Sequence, residues 1–384
     1  MPNLSQSSIK NLNYDVLQEI FYHCLPDYPL ENFHTRTHSM QMVLCQICSF
    51  WRSVALTTPK LWSHLCYILG YTLAPMEVPD SLPPTLVFRT KQIEYLQWWN
   101  KNRGSIPPFL AISMKIIYYE PAQYSSDASS WVDGGSDAVA SVIKYFTSAQ
   151  YLETDKTFWD VIHCIMGRED QIMFPNVCSL VQMSMKDPLF LDVSRIGSED
   201  VARDIFPSIR HLSLESGRGS IRYTASLSFP SHWSILTHVS FNIDASVGFW
   251  CRFIRYVPTL QSAYLVSFDS SDFTVPVEYT QSHLTTLFME SRNFSLQPSL
   301  LFSRLHLPAL QELTLSFSTF AWYDNEKMEL FTILKSTPNI SMLSLRNGCP
   351  NFADPLGSIE PLWKYAPLLV HLLLDVSDGM IGEI

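Results

Sequence analysis

Residues 308–315 read PALQELTL, a proline followed by leucines at positions 310, 313 and 315. The same spacing recurs along the second half of the chain: an apolar residue, two others, an apolar residue, one other, and a third apolar residue. Alternating apolar residues predict a β-strand with one buried face. The stretch therefore indicates strands that turn a leucine-rich side toward a core.

Beyond residue 170 the motif occurs eight times, and successive copies begin 24 to 32 residues apart. Its apolar positions are Val177-Leu180-Gln182 (the poorest copy), Ile209-Leu212-Leu214, Leu236-Val239-Phe241, Leu260-Ala263-Leu265, Leu284-Leu287-Met289, Leu310-Leu313-Leu315, Ile340-Leu343-Leu345 and Leu369-Leu372-Leu374. Six copies have a proline two positions before the first member: Pro175, Pro207, Pro258, Pro308, Pro338 and Pro367. Because proline ends a helix and favours extended backbone, the predicted unit is helix, proline break, strand.

Repeats of this length predict an α/β solenoid, in which each unit covers the apolar face of its neighbour and parallel strands line one concave side. The pattern resembles an irregular leucine-rich repeat, although most copies lack the usual asparagine beyond the strand. Ligands of repeat proteins bind on the concave strand face, where Arg210, Glu312 and Arg346 are candidate surface residues. An ordinary α/β domain with parallel strands is the alternative.

The last copy of the motif is followed directly by DVSDGMIGEI, without an obvious polar cap. An uncapped solenoid exposes a sheet edge and core residues. We therefore expect either that these final residues act as the cap or that the sequence is truncated from a longer protein.

The first 66 residues have helical rather than strand spacing. The stretch after Asn13, YDVLQEIFYHCL, predicts a helix that Asn13 caps and Pro26 ends. A second helix is predicted from Ser39, and Thr58-Pro59 begins a short third helix. The second helix is expected to carry its apolar residues on one face: Leu44, Ile47, Cys48, Trp51, Val54 and Ala55.

Three groups of residues in this segment resemble the F-box domain, in the form abundant in mushroom-forming fungi. They are Leu12-x-x-Asp15-Val16-Leu17-x-x-Ile20-Phe21, Ile47-Cys48-x-x-Trp51-Arg52-x-Val54-Ala55 and Thr58-Pro59-x-Leu61-Trp62. The resemblance implies a three-helix F-box at residues 1–66. Prolines at 75, 79, 83 and 84 predict a linker at 67–85, and the leucine-rich-repeat-like solenoid would occupy 86–384.

The resemblance also implies a function. F-box domains dock on a Skp-type adaptor, which connects them to a cullin in a ubiquitin ligase, while the rest of the chain binds a protein substrate that the sequence does not identify. The residues expected to contact the adaptor or shape that contact are Leu12, Val16, Leu17, Ile20, Phe21, Cys48, Trp51 and Trp62. Asn13 replaces the usual proline and Phe50 a commonly basic residue, so an F-box-like interaction module that acts outside any ligase is the alternative.

Composition argues against several other classes. The 26 Lys and Arg against 36 Asp and Glu give a formal charge of -10, so we expect no nucleic-acid partner. The amino terminus is polar, unlike a secretory signal, and no uncharged apolar run reaches the length of about 20 residues that a membrane crossing needs. Eight dispersed cysteines favour reduced thiols. A soluble protein of the cytosol or nucleus is the resulting expectation.

The sequence predicts no enzyme, no cofactor and no metal, because the common catalytic motifs are absent. A catalytic or metal-dependent protein remains a third hypothesis, with a zinc site built from Cys24, His34, His38, Cys45 and Cys48. The favoured interpretation buries Cys48 in a helix, with Cys45 at the edge of the core. His211, His238 and His371 precede apolar strand residues and are expected to face solvent.

Overall fold

Helices and parallel strands alternate in a computed structural model of the chain, giving an α/β fold with a solenoid-like parallel sheet. The structure describes residues 12–25, 40–73, 86–116, 131–133, 142, 144–155, 174–185, 206–216, 229, 231–269, 278–291, 305–317, 330, 333–346 and 364–375. The chain divides into two compact units, Met1–Gln182 and Met183–Ile384.

The first unit begins with short helices: α1 (Tyr14–His23), α2 (Met40–Ile47), α3 (Ser49–Leu56) and α4 (Pro59–Trp62). Helix α1 starts directly after Asn13, which confirms the predicted start. Its residues Leu17 and Phe21 are buried against the bundle. Helix α4 is held by Trp62, whose Nε1 donates a hydrogen bond to the carbonyl oxygen of Ala55 at 2.7 Å.

The predicted second helix is wrong in one respect, because it is broken at Cys48. This residue has extended backbone (φ -160, ψ 171), and its Sγ accepts a hydrogen bond from the backbone N–H of Trp51. The described segment therefore holds four helices rather than three. The break turns Cys48 out to solvent and leaves Cys45 buried, the reverse of the expectation. Arg52 spans the break by donating from Nε to the carbonyl of Cys45 at 2.9 Å.

The sheet of the first unit follows at once. Its strands are β1 (His64–Leu73), β2 (Leu86–Arg89), β3 (Phe109–Ile116), β4 (Trp131–Asp133), β5 (Tyr151–Asp155) and β6 (Ser179–Met185), in the order β6-β5-β3-β1-β2-β4. The pairs β1–β3 and β3–β5 are parallel, and β1–β2 and β2–β4 are antiparallel. Between β2 and β3 lies α5 (Thr90–Arg103). It ends at Arg103, and the next residue, Gly104, has a φ of 62°, which suits glycine.

Residues 67–73, predicted as linker, belong instead to β1, which pairs with β3 from His64 to Tyr71. The remainder of that prediction, 74–85, lies outside the described residues. Strand β1 follows α4 after a single residue. The ring of Trp62 meets that of Trp98 on α5 edge-on, with centroids 4.9 Å apart. The sheet thus begins inside the segment that the sequence assigned to the F-box.

The second unit contains the predicted repeat strands: β7 (His211–Ser216), β8 (His238–Ser246), β9 (Ser262–Asp269), β11 (Thr286–Ser291), β13 (Glu312–Phe317), β14 (Met342–Arg346) and β15 (His371–Asp375). They pair in parallel in the order β15-β14-β13-β11-β9-β8-β7, which confirms the predicted parallel arrangement. A separate parallel pair is formed by β10 (Tyr279–Thr280) and β12 (Leu305–His306).

One face of these strands forms the core. Leu287, Leu313 and Leu343 are at most 1% exposed and stand side by side on neighbouring strands. Helix α6 (Val247–Tyr256) packs near β8 and β9 and adds buried aromatic rings. The centroids of Phe241 and Phe253 are 5.0 Å apart.

The repeated proline occupies the second position of a four-residue turn, rather than starting the extended segment. Leu260 donates its backbone N–H to the carbonyl of Val257 at 3.2 Å, around Pro258. Leu310 and Leu307 make the same 3.2 Å bond around Pro308. Proline suits this place because its fixed φ fits the second residue of a turn and its missing N–H is not needed.

Candidate functional site

Helix α1 presents two apolar side chains to solvent. Val16 is 47% exposed and Ile20 is 36% exposed, one helical turn apart. Leu17 and Phe21, about 100° further round the helix, have no exposed surface. The apolar residues of the helix therefore cover more of its circumference than the bundle core needs.

Helices α2 and α3 add further exposed apolar side chains. Val43 and Ile47 are 43% and 51% exposed and lie about one turn apart on α2, and Phe50 at the start of α3 is 38% exposed. We call the exposed apolar area of Val16, Ile20, Val43, Ile47 and Phe50, taken over the three helices, the amino-terminal apolar surface. The sequence placed Ile47 on the core face, which is wrong because the break at Cys48 changes the direction of the chain. Val43 was missed, although Met40, Val43 and Ile47 have helical spacing.

Hydrogen bonds hold α1 against the chain that follows α3. The hydroxyl of Tyr14 lies 2.7 Å from Oγ1 of Thr57, and Gln18 donates from Nε2 to Oγ1 of Thr58 at 2.9 Å. Oγ1 of Thr58 in turn donates to the carbonyl of Val54 at 2.7 Å. These contacts fix the side of α1 that faces the bundle, so the other side, with Val16 and Ile20, is held toward solvent.

The structure separates the predicted adaptor residues into two groups. Val16, Ile20 and Cys48 are exposed, and Leu12 and Trp51 are half-buried. Leu17, Phe21 and Trp62 have no accessible surface and fill the core of the bundle. Their part in an adaptor contact stays a prediction, and from this position they would shape the contact from within the bundle. The ring of Phe21, for example, packs 5.3 Å from that of Trp51.

The zinc hypothesis receives no support from the described cysteines. Cys45 is buried in α2, while Cys48 faces solvent at the helix break. Among the residues that the structure describes, no three histidine, cysteine or acidic side chains form a group able to hold a metal ion. His34 and His38 lie outside the described residues.

The second unit offers another surface, on the polar face of its strands. The rings of Tyr264 and Phe288 stack with centroids 4.5 Å apart, and the guanidinium of Arg346 lies 5.6 Å from the Phe288 centroid. The Tyr264 hydroxyl donates to Oε2 of Glu290 at 2.7 Å. Glu312 accepts a longer bond from the Thr286 hydroxyl at 3.4 Å. This arrangement offers aromatic edges and both signs of charge to a bound chain.

Histidines also lie on this polar face, and His211, His238 and His371 are exposed as predicted. His211 and His238 are direct neighbours in the register of β7 and β8, with ring centroids 4.6 Å apart. Burial, and then the neighbouring His238, lower the pKa of His211. Arg210 is exposed beside them and donates from Nη1 to the carbonyl of Ile235.

No protein-family model matches this chain, and a comparison with curated proteins gives no match either. Across the part of the chain that the structure describes, every helix is too short or too polar to span a bilayer.

Proposed function

We propose that the protein is a substrate-recognition subunit of a Skp, cullin and F-box ubiquitin ligase, working in the cytosol or nucleus. Its amino-terminal helices would dock on a Skp-type adaptor, and its leucine-rich-repeat-like strands would bind the protein to be modified. The chain itself would carry out no chemistry. It would raise the local concentration of a substrate lysine near the ubiquitin-charged enzyme held by the cullin.

The observation that supports this proposal best is the amino-terminal apolar surface. Val16 and Ile20 belong to the F-box-like motif and are exposed, while their motif neighbours Leu17 and Phe21 form the core. The motif therefore combines two buried residues that stabilise the fold with two exposed residues that a partner protein would cover. Burying an exposed aliphatic side chain against a partner is favourable by up to about 1.5–3 kcal/mol, so this surface has the chemistry of a protein-binding site.

The test is binding of the purified chain to a Skp-type adaptor, measured by calorimetry. We expect Val16→Glu and Ile20→Glu each to weaken binding at least about tenfold, or about 1.4 kcal/mol, because each places a carboxylate in an apolar contact. These positions are better than Leu17, whose replacement by a charged residue would unfold the bundle. Circular dichroism should show that both variants keep their helices.

Leu368→Glu is the matched control, because this leucine is also half exposed (54%) but belongs to the second unit. Its affinity for the adaptor should equal that of the original chain. Adaptor binding that is absent in the original chain, or unchanged in both α1 variants, would refute the proposal.

An F-box-like interaction module that acts outside any ligase is the second candidate. Phe50 favours it, since this residue is 38% exposed where the F-box resemblance expects a basic side chain. Affinity capture from cell extract separates the two, using the original chain and Ile20→Glu as baits. A cullin recovered only with the original chain supports the ligase. Other proteins captured by the original chain but not by Ile20→Glu, with neither adaptor nor cullin, support an interaction module that acts outside a ligase.

A further inference from the structure

The polar face of the second unit changes in height across four neighbouring strands, β9, β11, β13 and β14. Tyr264, Phe288, Thr314 and Ser344 stand side by side in the strand register. The first two carry half-buried aromatic rings, and the last two carry short hydroxyl side chains. Because a phenyl ring extends further from the sheet than a hydroxyl group, the surface falls from β11 to β13. We call the lower area over β13 and β14, bordered by Phe288, the polar trough.

The polar trough has a charged residue of opposite sign at each end. Glu312 is exposed at the start of β13, and Arg346 is exposed at the end of β14. Glu312 stands opposite Met342, and Arg346 follows Met342 by four residues. With a rise of about 3.3 Å per residue, the two charged positions lie about 13 Å apart along the strands. The trough therefore has an acidic end and a basic end.

The guanidinium of Arg346 lies within the trough. It is 5.6 Å from the ring centroid of Phe288, although β13 separates the strands of these two residues. Contact with a ring uses no hydrogen-bond acceptor, so the N–H donors can still bind a carboxylate. In the described part of the chain, no carboxylate pairs with this guanidinium. Glu290 is directed toward β9, where its Oε2 accepts the hydroxyl hydrogen of Tyr264.

Glu312, at the acidic end, has capacity for a cation. The hydrogen bond that it accepts from Thr286 is long, at 3.4 Å, and a carboxylate has further lone pairs to offer. A ligand that is acidic along its whole length, such as a multiply phosphorylated segment, would meet like charge at Glu312. A wholly basic ligand would meet like charge at Arg346. Charge complementarity therefore favours a ligand that carries both signs.

The spacing of the two charges fits an extended peptide. A peptide laid along the trough rises about as much per residue as the strands below it, so residues four positions apart reach Glu312 and Arg346 together. Side chains of an extended chain alternate between two faces, so the residue midway also points toward the protein. There it meets the ring of Phe288, which favours an apolar or aromatic side chain.

We propose that the polar trough binds an extended peptide segment with a basic and an acidic residue four positions apart and an apolar residue midway. The basic residue pairs with Glu312, the acidic residue with Arg346, and the apolar residue packs on Phe288. In the proposed ligase this segment belongs to the protein that is modified, so its biological role rests on the proposed function. Binding of the peptide itself needs no adaptor.

The experiment is calorimetry of the full chain with acetylated, amidated peptides. GSKTFTEGS and GSETFTKGS carry the bipolar pattern in the two directions in which a peptide can lie, and the tighter of the two is the bipolar probe. GSKTFTKGS and GSETFTEGS each place one like charge at an end of the trough. Both should bind at least about tenfold more weakly than the bipolar probe.

Charge reversal in the protein tests the assignment of each end. Arg346→Glu makes both ends acidic, and this variant should prefer GSKTFTKGS. Glu312→Lys makes both ends basic, and this variant should prefer GSETFTEGS. A reversed preference is a gain of binding, so it cannot result from loss of folding.

The control variants make the same charge changes away from the polar face. Arg255→Glu changes an exposed residue of α6, a helix whose Phe253 packs against the buried Phe241 of β8. Glu278→Lys changes an exposed residue just before β10, which belongs to the separate strand pair. Both variants should keep the preference of the original chain for the bipolar probe.

Three results would overturn the proposal. They are no binding of either bipolar peptide, equal binding of bipolar and like-charged peptides, and charge-reversal variants whose preference does not follow the new charges. None of these bears on adaptor binding, which the α1 variants test separately. Peptide binding with the expected preferences in a chain that binds no adaptor would support the trough and refute the ligase.

Discussion

Cys251 shows how the core controls the chemistry of one side chain. It lies in α6 and is 2% exposed, and burial raises the pKa of its thiol from 9.0 to about 12. The thiolate is therefore strongly disfavoured in the folded protein. Cys48, in contrast, is an exposed thiol at a helix start.

The raised pKa of Cys251 in the folded protein predicts an effect of pH on the free energy of unfolding. Because the folded pKa of Cys251 is the higher one, its contribution is complete below about pH 9 and is lost as pH rises from there toward 12. Between pH 7 and about pH 10, Cys251→Ala should lose roughly 1.4 kcal/mol less unfolding free energy than the original chain. Urea denaturation at both pH values measures this. A loss in Cys251→Ala equal to that of the original chain would contradict the prediction.

Among the elements, α2 shows how the helical bundle is joined to the sheet. Gln41 is 4% exposed, and its Nε2 donates to the carbonyl oxygens of Leu61 in α4 and His64 in β1. One amide group thus connects two helices with the first strand. Neither carbonyl can easily find water in this buried place, so the connection depends on the amide.

We predict that Gln41→Leu destabilises the first unit by about 1–3 kcal/mol, since it leaves buried carbonyl groups without their donor. Gln46→Leu is the matched control on the same helix, because Gln46 is exposed and should change stability by less than about 0.5 kcal/mol. Urea denaturation followed by tryptophan fluorescence measures both. Equal effects of the two substitutions would mean that the amide does not hold these elements together.

The elements also show what the sequence was able to predict. The strands of the second unit were predicted because their apolar positions are buried and regularly spaced. The break at Cys48 was missed because the helical spacing of apolar residues continues through it and cysteine is not a usual helix cap. A further copy of the unit around Ala149 and Leu152 was missed because Thr147 stands where proline would mark it, although Ala149 donates to the carbonyl of Phe146 in the same turn.

The candidate site was predictable only in part, for a physical reason. Val16 and Leu17 are adjacent apolar residues of one motif, yet the first is 47% exposed and the second has no exposed surface. Which of the two is buried depends on the side of α1 against which α3 packs. This packing is a tertiary property, and the spacing of apolar residues does not determine it.

At the scale of the whole molecule, stability in a repeat protein comes from contacts between neighbouring units. Leu313 on β13 has strands on both sides and is fully buried. Leu372, at the corresponding place on β15, is only half-buried, and among the described strands it has one neighbour. We therefore expect β13 to be more stable than β15.

We predict that Leu313→Ala costs about 2–5 kcal/mol of unfolding free energy and Leu372→Ala less than about half of that. Hydrogen exchange should agree, with the amides of β15 exchanging faster than those of β11 and β13. Equal costs for the two substitutions would show that Leu372 is covered as well as Leu313.

At the start of several strands, one backbone carbonyl accepts two hydrogen bonds from the next unit. Thr237 accepts hydrogen bonds from the N–H groups of Gln261 and Ser262, and Gln261 accepts in turn from Thr285 and Thr286. All residue types have the backbone carbonyl, and all except proline have the backbone N–H. Substituting the exposed side chain at one of these positions therefore leaves the hydrogen bonds between units intact. Exposed side chains on the strands can therefore change in evolution while the backbone contacts between units stay the same.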